Sequence, residues 1–95
     1  MKVEFSKLAL AELDEILGYI SPRSRLGAEH VEARMRRAME HIARHPEAAE
    51  HVEGRPNVRR LPLGRYPYVL YYEIGEETVT ILRILHGARR RPWSE

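Results

Sequence analysis

Apolar and polar positions along this chain change period twice. Lys2–Phe5 alternates charged and apolar, the two-residue period of a half-buried strand. From Ser6, a plausible helix N-cap, the spacing lengthens. Ala9, Leu13, Ile16, Leu17 and Ile20 fall on one helical face, with Glu12, Asp14 and Glu15 on the others. Ser21-Pro22 closes this helix, because a residue before proline avoids the helical region. A second helix is predicted from about Ser24 to His45, with Ala28, Val31, Met35, Ala38, Met39 and Ile42 as its apolar stripe. Glu32–Arg36 and Glu40–Arg44 have the spacing and order of stabilising i,i+4 pairs. Pro46 stops this helix.

Beyond Pro46 the pattern returns to strand-like runs. Glu47–Pro56 reads as a polar loop, and Asn57–Leu63 as an extended segment with Val58 and Leu61 apolar and Arg59 and Arg60 charged. Tyr66–Ile74 and Thr78–Leu85 are rich in Tyr, Val, Ile and Thr, and Gly75-Glu76-Glu77 joins them as an antiparallel hairpin. The order strand, helix, helix, strand, strand, strand predicts an α+β fold, an antiparallel sheet packed against a helical hairpin. The last three strands form a meander and the first takes an edge. In Thr78–Leu85, strict alternation would place Arg83 on the face of Val79, Ile81 and Leu85. Tyr71 and Tyr72, being adjacent, point to opposite faces, so only one of them is expected in the core.

The length of 95 residues predicts one domain, 1–95. No apolar run approaches the ~20 residues that span a bilayer, so no membrane partner is expected. Cysteine is absent, which excludes thiol chemistry and a disulfide framework, and a cytoplasmic location is the simplest expectation.

Charge changes this picture more than composition does. The net charge is +2, but residues 1–54 sum to −2 and residues 55–95 to +4. Every basic residue of the second half is Arg, the side chain suited to gripping carboxylates and phosphates through paired hydrogen bonds. The second half therefore suits an anionic partner, either nucleic acid or an acidic peptide. Tyr66, Tyr68, Tyr71 and Tyr72, interleaved with Arg59, Arg60 and Arg65, could stack on single-stranded RNA or meet a protein partner. His86 ends the last strand and could act as a general acid or base, or fix the strand exit. His41 and His45 have metal-compatible spacing but no evident third ligand, so no metal is expected. No Gly-rich phosphate loop or nucleophile elbow is present, and no cofactor is expected.

The segments ALAELDEILGYI, HPEA, VRRLPLGRYPYVLYYEI and ILRILHGARRRPW, in this order and spacing, resemble the RelE/ParE superfamily of bacterial toxins from about Val3 to Trp93. The resemblance implies the same β-α-α-β-β-β arrangement. It also implies a toxin of a type II toxin–antitoxin pair, neutralised by a cognate antitoxin, with Arg65 and Tyr68 as candidate antitoxin contacts. In the RelE-like branch it implies ribosome-dependent cleavage of messenger RNA, for which Arg59, Arg60, His86 and Arg89 are the matching positions. Tyr68 stands where that branch usually has a catalytic Arg. The LHGARRRPW ending is closer to the ParE-like branch, whose implied target is DNA gyrase. Arg83, Arg89, Arg90, Arg91 and Trp93 are the target-contact candidates there. The ParE-like reading leads, the ribosome and mRNA reading follows, and an antitoxin-binding module without toxicity is a third.

Overall fold

The computed structural model describes residues 1–87. Its order is β1 (Lys2–Phe5), α1 (Lys7–Ile20), α2 (Arg25–Arg44), β2 (Glu50–Val52), β3 (Arg55–Pro62), β4 (Tyr68–Ile74) and β5 (Thr78–His86). The strands form one sheet in the order β1-β5-β4-β3-β2. Pairing is antiparallel from β2 to β5, while β1 lies parallel to β5, joined through the two helices.

Both helices start on serine. Ser6 Oγ accepts from the Ala9 N–H at 3.0 Å and Ser24 Oγ from Gly27 N–H at 2.9 Å, satisfying donors that a helix N-terminus leaves open. The apolar stripes meet one face of the sheet. Ala9, Met35, Ala38 and Ile42 pack there with Leu70, Tyr72, Val79, Ile81 and Ile84. Each large aliphatic side chain fully removed from water in such a core contributes about 1.5–3 kcal/mol. Among the described residues the ion pair within α2 is Arg25–Glu29, at 4.0 Å, rather than the expected Glu32–Arg36 and Glu40–Arg44.

Three expectations are corrected. The segment read as a polar loop contains β2, which pairs with β3 around Glu53-Gly54, Gly54 taking φ +80°. Val52 is its one buried residue, so β2 is defined by backbone hydrogen bonds and not by an apolar rhythm. Strand β4 begins at Tyr68 and not Tyr66, because Pro67 lacks an N–H and the chain is still turning through Gly64, at φ +69°.

The third correction concerns the two faces. Tyr71 and Tyr72 are both buried, at 4% and 0% exposure. Tyr72 belongs to the helix-side core, whereas Tyr71 joins Val52, Val58, Val69 and Leu85 in a second cluster on the opposite face. The pairing also shifts between Tyr71 and Tyr72: Tyr72 opposes Ile81 but Tyr71 opposes Arg83, leaving Leu82 as the extra residue of a bulge. Beyond it the alternation is reversed. Ile84 faces the helices with Val79 and Ile81, and Leu85 does not, so Arg83 does not share one face with all three.

Candidate functional site

Strand β1 is short and pairs with β5 only through Ile81. Past that point the edge of β5 is covered by α1. Ser6 Oγ donates to Leu82 O at 3.0 Å. One turn and a half later, Glu12 takes the place of a neighbouring strand: its Oε1 accepts the Ile84 N–H at 2.8 Å. Its Oε2 accepts from Arg83 Nη2 at 2.6 Å and Arg83 Nε at 2.9 Å. Arg83, predicted as a target contact, is thus joined to α1 by a two-pronged ion pair.

Below this contact α1 and the sheet diverge, and a groove of about 380 Å³ opens between them. Glu15, Ile16 and Tyr19 line it from α1, and Tyr68, Ile84 and His86 from the sheet. Tyr68 and His86 are cross-strand partners whose rings meet edge to face at 6.1 Å. Tyr19 is 63% exposed, with the Arg23 guanidinium over one ring face at 3.8 Å from the centroid. The predicted antitoxin contact Tyr68 therefore lies in a groove with His86. Arg65 is exposed in the turn before β4.

The two adjacent arginines of β3 diverge. Arg59 opposes Tyr72 and donates to Glu47 O and Ala49 O, at 3.2 and 3.0 Å, so it pins the loop after α2. Tyr72 Oη donates to Pro46 O of the same loop at 2.6 Å. Burial raises the Tyr72 hydroxyl above its ordinary value, against the opposing pull of Arg59. Arg60 opposes Tyr71, on the face away from the helices, and its Nη1 pairs with Glu50 at 2.8 Å. That hydrogen bond holds its guanidinium protonated beyond its ordinary range. The Nε of each arginine is buried without a hydrogen-bond partner among the described residues.

Among the described residues matched to RNA cleavage, Arg59, Arg60 and His86 are not brought together. Arg59 and Arg60 leave opposite faces of β3. Arg59 is level with Tyr72 of β4 and His86 with Tyr68, about 13 Å apart along the strand at ~3.3 Å per residue. Arg89, Arg90, Arg91 and Trp93 lie outside the described residues. No group of three or more His, Asp or Glu among the described residues is placed to hold a metal ion, and His41 and His45 have ring centroids 5.5 Å apart. No described helix is long and apolar enough to cross a membrane. The sequence reading missed Glu12, Glu15 and Tyr19. Their spacing along one side of α1 was the available signal, but it reads as a solvated face until β1 is known to stop short.

A mixed five-stranded sheet with two helices on one face, the first helix closing the last strand's open edge, defines a class of small α+β protein. The same architecture occurs in a chromosomal ParDE system from P. aeruginosa, with a TM-score of 0.65 over 90% of this chain and 95% of that one, at 23% identity. Residues 3–91 match the family model described as the ParE toxin of the type II toxin–antitoxin system parDE. Toxin RelE2 of Caulobacter vibrioides is 35% identical over 81 residues, covering 85% of this chain and 89% of the relative. The Y4kP protein of Sinorhizobium fredii is 32% identical, covering 96% and 93%. The chain belongs to the ParE toxin family of type II toxin–antitoxin systems, within the RelE/ParE superfamily.

Proposed function

We propose that this chain arrests growth in the cytoplasm as a non-enzymatic, ParE-like inhibitor of DNA gyrase, held inactive by a cognate antitoxin. The observation that carries this reading is the dispersal of the strand arginines. Cleaving an RNA phosphodiester requires cationic groups aimed at one developing charge, with an acid or base in reach. Here Arg59 holds loop carbonyls, Arg60 faces the other side of the sheet with Glu50, and Arg83 is joined to Glu12. His86 sits beside Tyr68, on the helix side. Target contact is assigned to Arg89, Arg90, Arg91 and Trp93, and Arg83 is assigned to holding the strand that leads to them.

The test is gyrase supercoiling with toxin freed from its antitoxin. Trapped, cleaved DNA and lost supercoiling are expected, weakened when Arg89 and Trp93 are replaced by Ala. Undisturbed supercoiling at large excess of folded, growth-arresting toxin, together with messenger cleavage on programmed ribosomes, would replace this reading with the RelE-like one.

A further inference from the structure

The net charge of −2 over residues 1–54 hides a one-sided distribution along α2. His30, Arg34, Arg37, His41 and Arg44 follow one another at intervals of four, three, four and three residues. At ~3.6 residues per turn, such positions stack into a single row on the helix surface. All are exposed except Arg34, which is half-buried. The core side of the helix carries Val31, Met35, Ala38 and Ile42. The flank toward α1 has a different character. There Ala28, Glu29 and Glu32 face Leu17 and Ser21 of α1 across a shallow groove. Arg36 stands among Glu29, Glu32 and Glu40 at helical spacing on that flank. The basic row therefore lies on the flank of α2 turned away from α1.

The fold does not use this row. Arg34, Arg37 and Arg44 make no hydrogen bond or ion pair among the described residues. Glu40 borders the row, three residues after Arg37 and four before Arg44, yet pairs with neither. No aromatic ring of Phe, Tyr or Trp and no large aliphatic side chain stands within the row. Leu26, 61% exposed, lies one turn before its start. From His30 to Arg44 the row runs about 21 Å, at ~1.5 Å per residue.

These features select the occupant. Protein interfaces centre on aromatic or apolar anchors. Single-stranded RNA is gripped by rings on which its bases stack. Guanidinium groups and imidazole N–H donors in a straight row, without such anchors, suit phosphate oxygens along a stiff backbone. Duplex DNA presents a charge every ~1.7 Å of its axis, so several phosphates fall within the span of the row.

We propose that the His30–Arg44 row of α2 binds the phosphate backbone of duplex DNA without reading its sequence. Arg34, Arg37 and Arg44 neutralise phosphates, and His30 and His41 donate to phosphate oxygens between them. The contact goes beyond the gyrase reading and needs no gyrase, so either can fail alone.

Fluorescence anisotropy of a labelled DNA duplex of about 20 base pairs, titrated with the full chain at about 50 mM salt, tests the assignment. Binding is expected, and equally for two unrelated sequences. Replacing Arg34, Arg37 and Arg44 together by Gln should weaken it at least tenfold. The slope of log affinity against log salt should flatten by about 2–3, since each phosphate contact contributes about 0.9. Arg37→Gln alone should weaken binding several-fold, whereas Arg36→Gln, the same loss of charge on the opposite flank, should change it less than twofold. Glu40→Gln, which removes the bordering carboxylate, should tighten it at least twofold. Arg37 and Arg44 are exposed, so their double Gln variant should keep the parent's melting temperature and circular dichroism, and it carries the test if Arg34→Gln disturbs folding.

No binding by the parent chain, or equal losses for Arg36→Gln and Arg37→Gln, would overturn the row as a DNA site. Binding indifferent to the triple variant but lost when Arg89, Arg90 and Arg91 are replaced by Gln would move the contact to those arginines and overturn the assignment to α2. Tighter binding of a single-stranded RNA of the same length, lost in the triple variant, would overturn the choice of DNA and give the row to RNA.

Discussion

Replacing Glu12 with Ala should be the most damaging single change on the surface of α1. The carboxylate accepts three hydrogen bonds, from Arg83 Nε, Arg83 Nη2 and the Ile84 N–H, at 2.9, 2.6 and 2.8 Å. The Glu12 side chain is 12% exposed and that of Arg83 27%, so solvent screening is limited but not negligible. Hydrogen bonds to a charged group are worth about 1.5–3 kcal/mol each, and breaking a buried pair by removing one partner costs about 3–5 kcal/mol. Allowing for the water that Arg83 can recover, the loss should be about 3 kcal/mol. In a domain this small that corresponds to a fall of roughly 12–24 °C in melting temperature. Glu12→Gln keeps an acceptor for Ile84 and loses the charge, and should cost about 1–2 kcal/mol. Arg83→Met removes the other partner. Urea unfolding of the two single variants and the double variant isolates the coupling, which should exceed about 1 kcal/mol. A loss below about 1 kcal/mol for Glu12→Ala would show that the carboxylate does not hold α1 to the strand edge, and Arg83 would return to the candidate target contacts.

Tyr72→Phe leaves the Pro46 carbonyl without its 2.6 Å donor and should cost about 1 kcal/mol in urea unfolding at neutral pH. Because the folded Tyr72 pKa lies above its unfolded value near 10, the native chain binds more protons there; parent stability should fall as pH rises above about 10, and that part of the fall should be missing in Tyr72→Phe. Arg59→Met should lower the melting temperature by releasing two loop carbonyls, whereas Arg60→Met, which breaks a pair to a Glu50 side chain 64% exposed, should cost less than about 1 kcal/mol. Equal losses for the two would contradict the different environments assigned to them.

Much of the architecture is legible because it is written in period. The stripe from Val31 to Ile42 and the hairpin around Gly75-Glu76-Glu77 appear where alternation and spacing place them. The exceptions share a cause. Strand β2 has a single buried residue, so its existence depends on the hydrogen-bonding edge of β3 and leaves almost no hydrophobic signal. The bulge at Leu82 inserts one residue into an unbroken apolar run, TVTILRIL, in which a skipped position changes nothing that pattern alone can register. Both tyrosines are buried because each face of the sheet carries its own cluster, a tertiary fact that local alternation does not record. The candidate groove was less legible still. Glu12, Glu15 and Tyr19 read as the solvated side of an amphipathic helix, and only the early end of β1 turns that side toward a strand.

The same bulge bears on how the basic residues are used. Without it, Arg83 would continue the alternation begun by Val79 and Ile81, and a guanidinium would face the helix-side core. With it, the side chain reaches the sheet edge, where Glu12 waits one and a half turns after the Ser6 cap. Arg59 is likewise committed, to two carbonyls that close the loop after α2. Of Arg59, Arg60 and Arg83, Arg60 is the one joined to a well-exposed carboxylate, a pair that an incoming anion could exchange at small cost. A single exchangeable arginine can support an electrostatic contact with a protein or nucleic-acid partner. It cannot by itself supply the clamp and the proton transfer that phosphodiester cleavage demands. The fold therefore spends Arg59 and Arg83 on tying its layers together, which is why the gyrase-directed reading is preferred and why the decisive experiments fall on the segment after Gly87.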